Sequence, residues 1–221
     1  MRAYYEAFWD DAPADPEPWA FERRRALLLG EAEPGERVLD LGCGAGRFVA
    51  ALRGAGRDAV GVEIAEAALE RARAVAPGAD LRLLEPDGSI PLDHGSVDLV
   101  WCSEVLEHVA DGQHLLQEAR RVLRPGGRIL VTVPFHGRVK AALVGLLRFD
   151  AHFDPQGQHL RFFTARSLAG SLRAAGFAAP DVRAVGGVPL LRGSLVARAQ
   201  RFARVASSRS EVETAERGSR K

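Results

Sequence analysis

The sequence contains few cysteines and almost no excess of charge of either sign. Cys43 and Cys102 are the only cysteines, and because two are too few for a disulfide framework, we expect reduced thiols in core segments. Thirty Lys and Arg residues stand against 29 Asp and Glu residues, which leaves a net charge of +1. This balance provides no global field that would hold nucleic acid or an anionic membrane. We therefore expect no nucleic-acid partner.

The sequence also lacks a long hydrophobic run and a secretory signal. The longest apolar stretch, residues 139–147, includes Lys140 and is far shorter than the ~20 residues of a membrane-spanning helix. Residues 1–9 mix acids and aromatics without the basic region and apolar run of a signal peptide. We therefore expect a cytoplasmic protein. Two interpretations of residues 139–147 stay open: a helix packed on the domain, or a contact with an apolar acceptor or a membrane surface.

From residue 37 onward, short β-branched or Leu-rich runs alternate with helical patterns. This alternation is typical of βαβ units, so we predict an α/β fold with a doubly wound, mostly parallel sheet. The last two strands are separated by a turn-rich segment and should pair as a hairpin. The predicted strands are Arg37–Leu41, Asp58–Val62, Leu81–Leu84, Val97–Cys102, Arg128–Val133, Asp181–Val185 and Ser194–Ala199. The predicted helices include Gly46–Gly54, Ala65–Ala76, Gln113–Leu123 and Thr164–Ala175.

The chain divides into three segments, and the middle one carries an insertion. Residues 1–30 should form an N-terminal lid and helix, whose aromatic residues either line the lid or join the core. Residues 31–199 form the main domain, and within it residues 138–163 look like an insertion after the fifth strand. Loops at the carboxyl ends of parallel strands set substrate specificity, so we expect this insertion to form a substrate lid. The polar residues 200–221 should be a flexible tail.

A glycine-rich loop follows the first predicted strand. Glycine at Gly42, Gly44 and Gly46 allows positive φ and close approach of a ligand to the backbone. At the end of the next strand stands Glu63, whose carboxylate can accept hydrogen bonds from both hydroxyls of a ribose. The glycine loop and this acid together predict a ligand that contains a nucleoside. The G-x-G-x-G spacing disfavours a nicotinamide-dependent dehydrogenase, which prefers G-x-G-x-x-G, but leaves it as an alternative.

Three segments together resemble one enzyme family. The strand and loop VLDLGCGAGRF at residues 38–48, the stretch DLVWCSEVLEHV at 98–109 and the stretch LRPGGRILVTVP at 123–134 are similar to motifs of class I S-adenosylmethionine-dependent methyltransferases. The resemblance covers about residues 37–199. It implies a seven-stranded Rossmann-like sheet whose antiparallel last strand is inserted between strands five and six, with S-adenosylmethionine as the cofactor.

The resemblance also assigns ten residues to the cofactor. The residues of the glycine loop would surround the methionine and ribose parts of the cofactor. The acidic residue after strand two would accept hydrogen bonds from the ribose hydroxyls, and the Asp-Gly pair after strand three would contact the adenine. The last two line the cavity near the sulfonium. In chain order the ten are Asp40, Gly42, Gly44, Gly46, Glu63, Ile64, Asp87, Gly88, Ser103 and Glu104.

The segment after strand four offers catalytic and metal-binding candidates. Glu104, Glu107 and His108 are spaced at i, i+3 and i+4, so they would share one face of a helical turn. With His159 of the insertion they would form a site for a divalent ion such as Mg²⁺. The same pattern resembles two branches of the family, the ubiquinone-pathway O-methyltransferases and the small-RNA 2′-O-methyltransferases, and the resemblance implies that matching residues hold Mg²⁺. The alternative is a loop that lines the cofactor, with His108 or His159 as general base beside Glu104.

These observations predict transfer of a methyl group from S-adenosylmethionine to a small or lipid-linked metabolite, with an oxygen atom as the acceptor. An adenosylmethionine-binding regulatory subunit without catalysis is the second hypothesis. Neither the acceptor nor the oligomeric state follows from the sequence.

Overall fold

The computed structural model describes residues 2–13, 18, 20–147, 160–188 and 192–202. Its strands are β1 Arg37–Leu41, β2 Asp58–Glu63, β3 Asp80–Leu83, β4 Val97–Ser103, β5 Leu123–Pro134, β6 Phe177–Val185 and β7 Ser194–Arg201. The helices of this part are α1 Arg2–Asp11, α2 Phe21–Glu31, α3 Arg47–Gly54, α4 Glu66–Val75, α5 Gly112–Val122, α6 Arg138–Leu147 and α7 Ala165–Ala174. Every strand predicted from the sequence is present.

The seven strands form one sheet in the order β3-β2-β1-β4-β5-β7-β6. Strand β7 is antiparallel to both β5 and β6, and the other neighbouring pairs are parallel. The predicted doubly wound sheet is confirmed, including the insertion of the last strand between strands five and six. Strands β1 and β4 are neighbours at the point where the strand order reverses, and such a crevice is where ligands bind in open α/β sheets.

Two apolar cores cover the two faces of the sheet. Neighbouring residues of a strand point to opposite faces, so Leu39 belongs to one core and Val38 to the other. On the α2 and α3 face, Trp101 of β4 is fully buried and its ring lies 5.4 Å from that of Phe48 on α3. This contact fixes the start of α3, and with it the position of the glycine loop.

Two irregular strand boundaries have local causes. Leu123 pairs with Val97 and Arg128 with Leu99, so the residues between Leu123 and Arg128 bulge out of the ladder where Pro125 has no N–H to donate. The register of β6 against β7 shifts between Ala178 and Asp181, next to Pro180. Both strands therefore begin earlier than the sequence pattern predicted, on the far side of a proline.

The helix α7 begins as predicted. Thr164 is its N-cap, and the Thr164 and Ser167 side chains each accept a hydrogen bond from the other residue's backbone N–H. Gly176, with φ at 86°, follows its end. No helix in the described part of the chain is long and apolar enough to cross a membrane.

Candidate functional site

The glycine loop lies at the carboxyl edge of the sheet and is held there by β2. The backbone N–H groups of Gly42 and Cys43 both donate to the Val62 carbonyl, at 2.8 and 3.1 Å. Gly46 has φ at 79°, and a Cβ on it would lie 2.8 Å from the Ala72 Cβ of α4. Only glycine therefore allows α3 to start in contact with α4.

The Glu63 carboxylate stabilises this loop from the end of β2. Its Oε2 accepts a hydrogen bond from the Gly44 N–H at 3.0 Å, and its Oε1 accepts from the Ile64 N–H at 2.7 Å. Burial raises the pKa of the Glu63 carboxyl, and the hydrogen bonds from the backbone amides oppose that rise. Each carboxylate oxygen can accept more than one hydrogen bond, so the group can still receive ribose hydroxyls.

Asp40 is a second buried acid below the loop. It is 1% exposed, and burial followed by the charge of Glu63 raises its pKa to about 8. Its Oδ2 has no hydrogen-bond partner in the ranges that the structure describes. A buried polar atom of this kind is costly unless a proton or a ligand donor satisfies it.

A cavity of about 430 Å³ opens at this edge of the sheet. Seven of the ten residues assigned to the cofactor line it, and they are Gly42, Gly44, Glu63, Ile64, Asp87, Gly88 and Glu104. Asp40, Gly46 and Ser103 are absent from the lining. Asp87 lies on the rim, where its Oδ1 accepts a hydrogen bond from the Ser89 N–H at 2.9 Å, and this bond lowers its pKa. On the other side the lining includes His114 of α5, which the sequence did not single out.

Helix α1 covers the cavity from the N-terminal side. Tyr5, Phe8 and Trp9 line it, and a Cβ on Gly44 would lie 2.9 Å from the Trp9 ring. The Glu6 carboxylate accepts hydrogen bonds from the first backbone N–H groups of α4, at 2.9 and 3.0 Å. It thereby supplies the cap that the N-cap residue of α4, an alanine, cannot provide.

Two arginines fasten the same helix at its ends. The Arg2 guanidinium donates to the Ile64 carbonyl at 3.1 Å and to the Leu84 carbonyl. The Arg71 guanidinium donates to the carbonyls of Trp9, Ala12 and Pro13, where α1 ends. These contacts hold α1 against the cavity at both of its ends.

The segment after β4 differs from its sequence-based prediction. Residues 104–108 form a bend and a turn instead of a helical turn, and Glu104 has φ at 56°. The expectation that Glu104, Glu107 and His108 share a helical face is wrong, because the positive φ at Glu104 is incompatible with a right-handed helical turn. The Glu104 N–H donates to the Thr132 carbonyl of β5 at 2.9 Å. That bond extends the hydrogen bonding between β4 and β5 to Glu104.

The three candidates do not all reach the cavity, although His108 Nε2 lies 3.8 Å from Glu107 Oε1. Glu104 and His108 line the cavity and Glu107 does not. Glu107 is 1% exposed, and burial followed by the Glu104 carboxylate raises its pKa to about 8. Within the described residues there is no group of three His, Cys, Asp or Glu side chains that could hold a metal ion, so the predicted Mg²⁺ site is not supported. His159 lies outside the described residues.

A chain of hydrogen bonds fixes Glu104 from behind the cavity. Thr132 Oγ1 donates to Glu104 Oε1 at 2.9 Å and lies 2.8 Å from Ser103 Oγ. Ser103 Oγ accepts from Arg24 Nη1 of α2 at 2.9 Å, and the same nitrogen lies 4.0 Å from Glu104 Oε1. Burial raises the pKa of the Glu104 carboxyl, whereas Arg24 and Thr132 lower it. The sequence did not predict that Arg24 and Thr132 contact the site, because no local motif includes their partners.

Comparison with known proteins agrees with the fold and shows the family. A family model described as a methyltransferase domain matches residues 14–180, more than half of the chain. The chain is 30% identical over 173 residues to the ubiquinone biosynthesis O-methyltransferase of Paraburkholderia phymatum. The aligned region covers 72% of this chain and 71% of that protein. It is 37% identical over 133 residues to the 27-O-demethylrifamycin SV methyltransferase of Amycolatopsis mediterranei. That aligned region covers 57% of this chain and 48% of the relative.

A solved structure shows the same architecture. It is the complex between the Haloferax volcanii Trm112 methyltransferase activator and the putative methyltransferase. One chain of that complex aligns with this chain with a TM-score of 0.69 and 21% sequence identity. The alignment covers 90% of this chain and 97% of that chain. The fold and the cavity define a class I α/β methyltransferase. The chain belongs to the S-adenosylmethionine-dependent methyltransferase family. It spans between 32% and 71% of the length of the curated relatives that it matches.

Proposed function

We propose that the chain transfers the methyl group of S-adenosylmethionine to an oxygen atom of a small or lipid-linked acceptor. The observation that carries this proposal is the placement of His108 and Glu104 on the wall of the same cavity that the glycine loop and Glu63 line. The loop proposed to bind the methyl donor and the residue proposed to accept the proton therefore line one cavity. The similarity to a ubiquinone biosynthesis O-methyltransferase and to the 27-O-demethylrifamycin SV methyltransferase supports oxygen as the acceptor atom.

The residues of the cavity fit the proposed cofactor. Glu63 retains acceptor capacity for the ribose hydroxyls, and Gly44 presents its backbone to the cavity without a Cβ. The unsatisfied Oδ2 of Asp40 lies behind the cavity lining, where it suits an ammonium group that reaches it through water. Ile64 and Leu84 give an apolar wall for a purine, with Asp87 at its polar edge.

When bound, S-adenosylmethionine supplies a methyl group that its sulfonium already activates, so alignment provides much of the rate. An acceptor hydroxyl still has to lose its proton. His108 is placed to take that proton, because neutral imidazole accepts one near physiological pH. Thr132 and Arg24 hold the Glu104 carboxylate in place. Tyr5, Phe8 and Trp9 of α1 exclude water from the site. His159 stays a predicted base.

An apolar part of the acceptor has a matching surface. Helix α6 follows β5 at the carboxyl edge of the sheet, and its Leu146 and Leu147 are 81% and 76% exposed. Burying such side chains against an acyl or prenyl chain is favourable by about 25 cal/mol per Å² of apolar surface. We therefore favour acceptors that carry an apolar substituent.

The proposal is tested with labelled methyl groups. Purified chain is incubated with methyl-labelled S-adenosylmethionine and a panel of phenols, catechols, hydroxylated lipids, amines and thiols, and the label is located by mass spectrometry. We expect methylation of oxygen, with catechols or phenols bearing an apolar chain as the best acceptors. Methylation confined to nitrogen or sulfur would contradict the choice of atom.

The role of His108 is tested by replacing it with alanine, and the same replacement of a histidine outside the cavity is the control. The variant His108→Ala should lower kcat at least tenfold, whereas His94→Ala, at an exposed position outside the cavity lining, should leave it unchanged. Equal rates for the two variants would remove His108 as the base. Tight cofactor binding without turnover of any acceptor would favour the regulatory-subunit hypothesis.

A further inference from the structure

A second cavity, of about 350 Å³, lies on the α2 face of the sheet next to the first. Its floor is formed by Thr132 of β5 and by Ser194 and Val196 of β7, and Gly186 after β6 closes one side. The first turns of α2 form the other wall. Because Thr132 and Ser194 stand near the carboxyl end of β5 and the start of its antiparallel neighbour β7, this cavity opens at the same edge of the sheet as the first one.

The lining of this second cavity is strongly basic. Four of its residues are arginines, namely Arg23, Arg24, Arg183 and Arg198, and none of the described residues that line it is an Asp or Glu. A guanidinium has a fork of N–H groups that matches the two oxygens of a carboxylate or phosphate. The shape and charge of this space therefore suit an anionic group.

The charge of the four arginines is only partly compensated from outside the lining. Arg198 Nε lies 2.7 Å from a Glu31 carboxylate oxygen, and Arg183 Nη2 lies 2.8 Å from Asp181 Oδ2 at the surface. Arg23 forms no ion pair with any residue in the described ranges. Its guanidinium is near Gly186, where an added Cβ would lie 2.8 Å from Nη1. An anion bound here would gain a partner in Arg23 without breaking an existing ion pair.

The two cavities adjoin at the Glu104 side chain. Glu104 lines the first cavity, and its direct partner Thr132 and its neighbour Arg24 line the second. An anionic group among the arginines would therefore lie across this hydrogen-bonded wall from Glu104 and His108, at the same edge of the sheet. The side of Glu104 and His108 is the place where the proposed function needs the acceptor hydroxyl.

We propose that the arginine-lined cavity binds an anionic group, a carboxylate or a phosphate, that is part of the methyl acceptor. The inference rests on the proposed function, since it concerns the acceptor of that reaction. It narrows the substrate class to acceptors that carry a negative charge away from the methylated oxygen. A volume near 350 Å³ lies within the range of small-molecule pockets.

The test is a calorimetric titration of the full chain saturated with S-adenosylhomocysteine, using inorganic phosphate and benzoate as separate probes. We expect at least one probe to bind the wild type. The variants Arg23→Gln and Arg183→Gln should each weaken that probe about three- to tenfold. Arg25→Gln is the matched control, because Arg25 lies on the same helix, contacts Glu22 and does not line the cavity. Its affinity should equal that of the wild type.

Each outcome has a separate meaning. Phosphate binding alone assigns a phosphorylated acceptor, benzoate binding alone assigns a carboxylated one, and both support the shared chemistry. No binding of either probe at millimolar concentration, with S-adenosylhomocysteine bound normally, overturns this inference and leaves the proposed function intact. Equal losses in Arg25→Gln and the two test variants also overturn it, because general surface charge would then explain the binding. Failure of a folded sample to bind S-adenosylhomocysteine contradicts the proposed function itself.

Discussion

The Glu63 carboxylate and the Gly44 amide, 19 residues apart in the chain, are joined by a 3.0 Å hydrogen bond. This bond ties the end of β2 to the loop after β1 and gives the cavity its acidic corner. The same carboxylate accepts hydrogen bonds from Ile64 and Ala65, so one side chain both shapes the loop and presents acceptor oxygens to a ligand. The glycine loop and the acid are therefore one structural unit.

Replacing Gly46 should destabilise the fold. Gly46→Ala introduces a Cβ at a φ of 79° and 2.8 Å from the Ala72 Cβ, which should lower the free energy of unfolding by about 1–3 kcal/mol. Gly54→Ala is the control, because nothing lies within 4 Å of a Cβ there. Urea unfolding of both variants checks the prediction, and equal stabilities would show that the loop tolerates a side chain.

Loosening α1 should speed the release of the cofactor product. Glu6→Gln removes the charged cap from the start of α4, an interaction worth about 1 kcal/mol. We expect the dissociation rate of S-adenosylhomocysteine to rise about fivefold in stopped-flow fluorescence. Asp10→Asn, a similar change on the exposed side of α1, should have no effect. An unchanged rate in Glu6→Gln would mean that α1 does not gate the cavity.

Removing the Thr132 hydroxyl should lower kcat more than cofactor affinity. Thr132→Val keeps the shape of the side chain but deletes the hydrogen bonds to Ser103 and Glu104, and the loss of such buried bonds costs about 1–3 kcal/mol. We expect at least a tenfold fall in kcat with little change in the affinity for S-adenosylhomocysteine. Thr132→Ser keeps the hydroxyl and should restore most of the rate. A fall in cofactor affinity of the same size would place Thr132 in cofactor binding instead.

Glu107 should make the protein less stable as the pH rises. Its pKa is raised from 4.5 to about 8 in the folded state, so the folded protein keeps a proton that the unfolded chain loses. Between about pH 5 and pH 8 this group lowers the free energy of unfolding by at most about 1.4 kcal/mol per pH unit. Asp40, with a pKa also raised to about 8, acts in the same direction.

The variant Glu107→Gln separates the Glu107 contribution. It cannot ionise, so its stability should fall less steeply than that of the wild type between pH 5 and pH 8, and the two curves should run parallel above pH 8. Urea unfolding at intervals of one pH unit gives both curves. Parallel curves across the whole range would show that Glu107 ionises normally in the folded protein.

The sheet and the cofactor loop follow from the sequence because their signals are local. Strand, glycine loop, helix and Glu63 occur in chain order, and packing of Trp101 on Phe48 only reinforces that arrangement. The turn at Glu104, with φ at 56°, was predicted wrongly because its hydrogen bonds to Thr132, 28 residues further along the chain, leave no local signal in the sequence.

The placement of α1 likewise depends on contacts that no local pattern reveals. Glu6 binds backbone groups some 60 residues away, and Arg71 reaches back to the end of α1 over a similar separation. Arg24 joins the site through a tertiary contact with Ser103. Such contacts depend on the packing of whole elements, so spacing within the sequence gives no sign of them.

The most direct test of the account is a calorimetric titration of the chain and of Glu63→Gln with S-adenosylhomocysteine. The wild type should bind, and the variant should lose about ten- to a hundredfold in affinity, because a carboxylate acceptor worth about 1.5–3 kcal/mol is removed. Glu66→Gln, at a half-exposed position on α4, should bind like the wild type, and thermal unfolding should show all three to be folded. Equal affinities for the wild type and Glu63→Gln, or no binding to the folded wild type, would contradict the cofactor site.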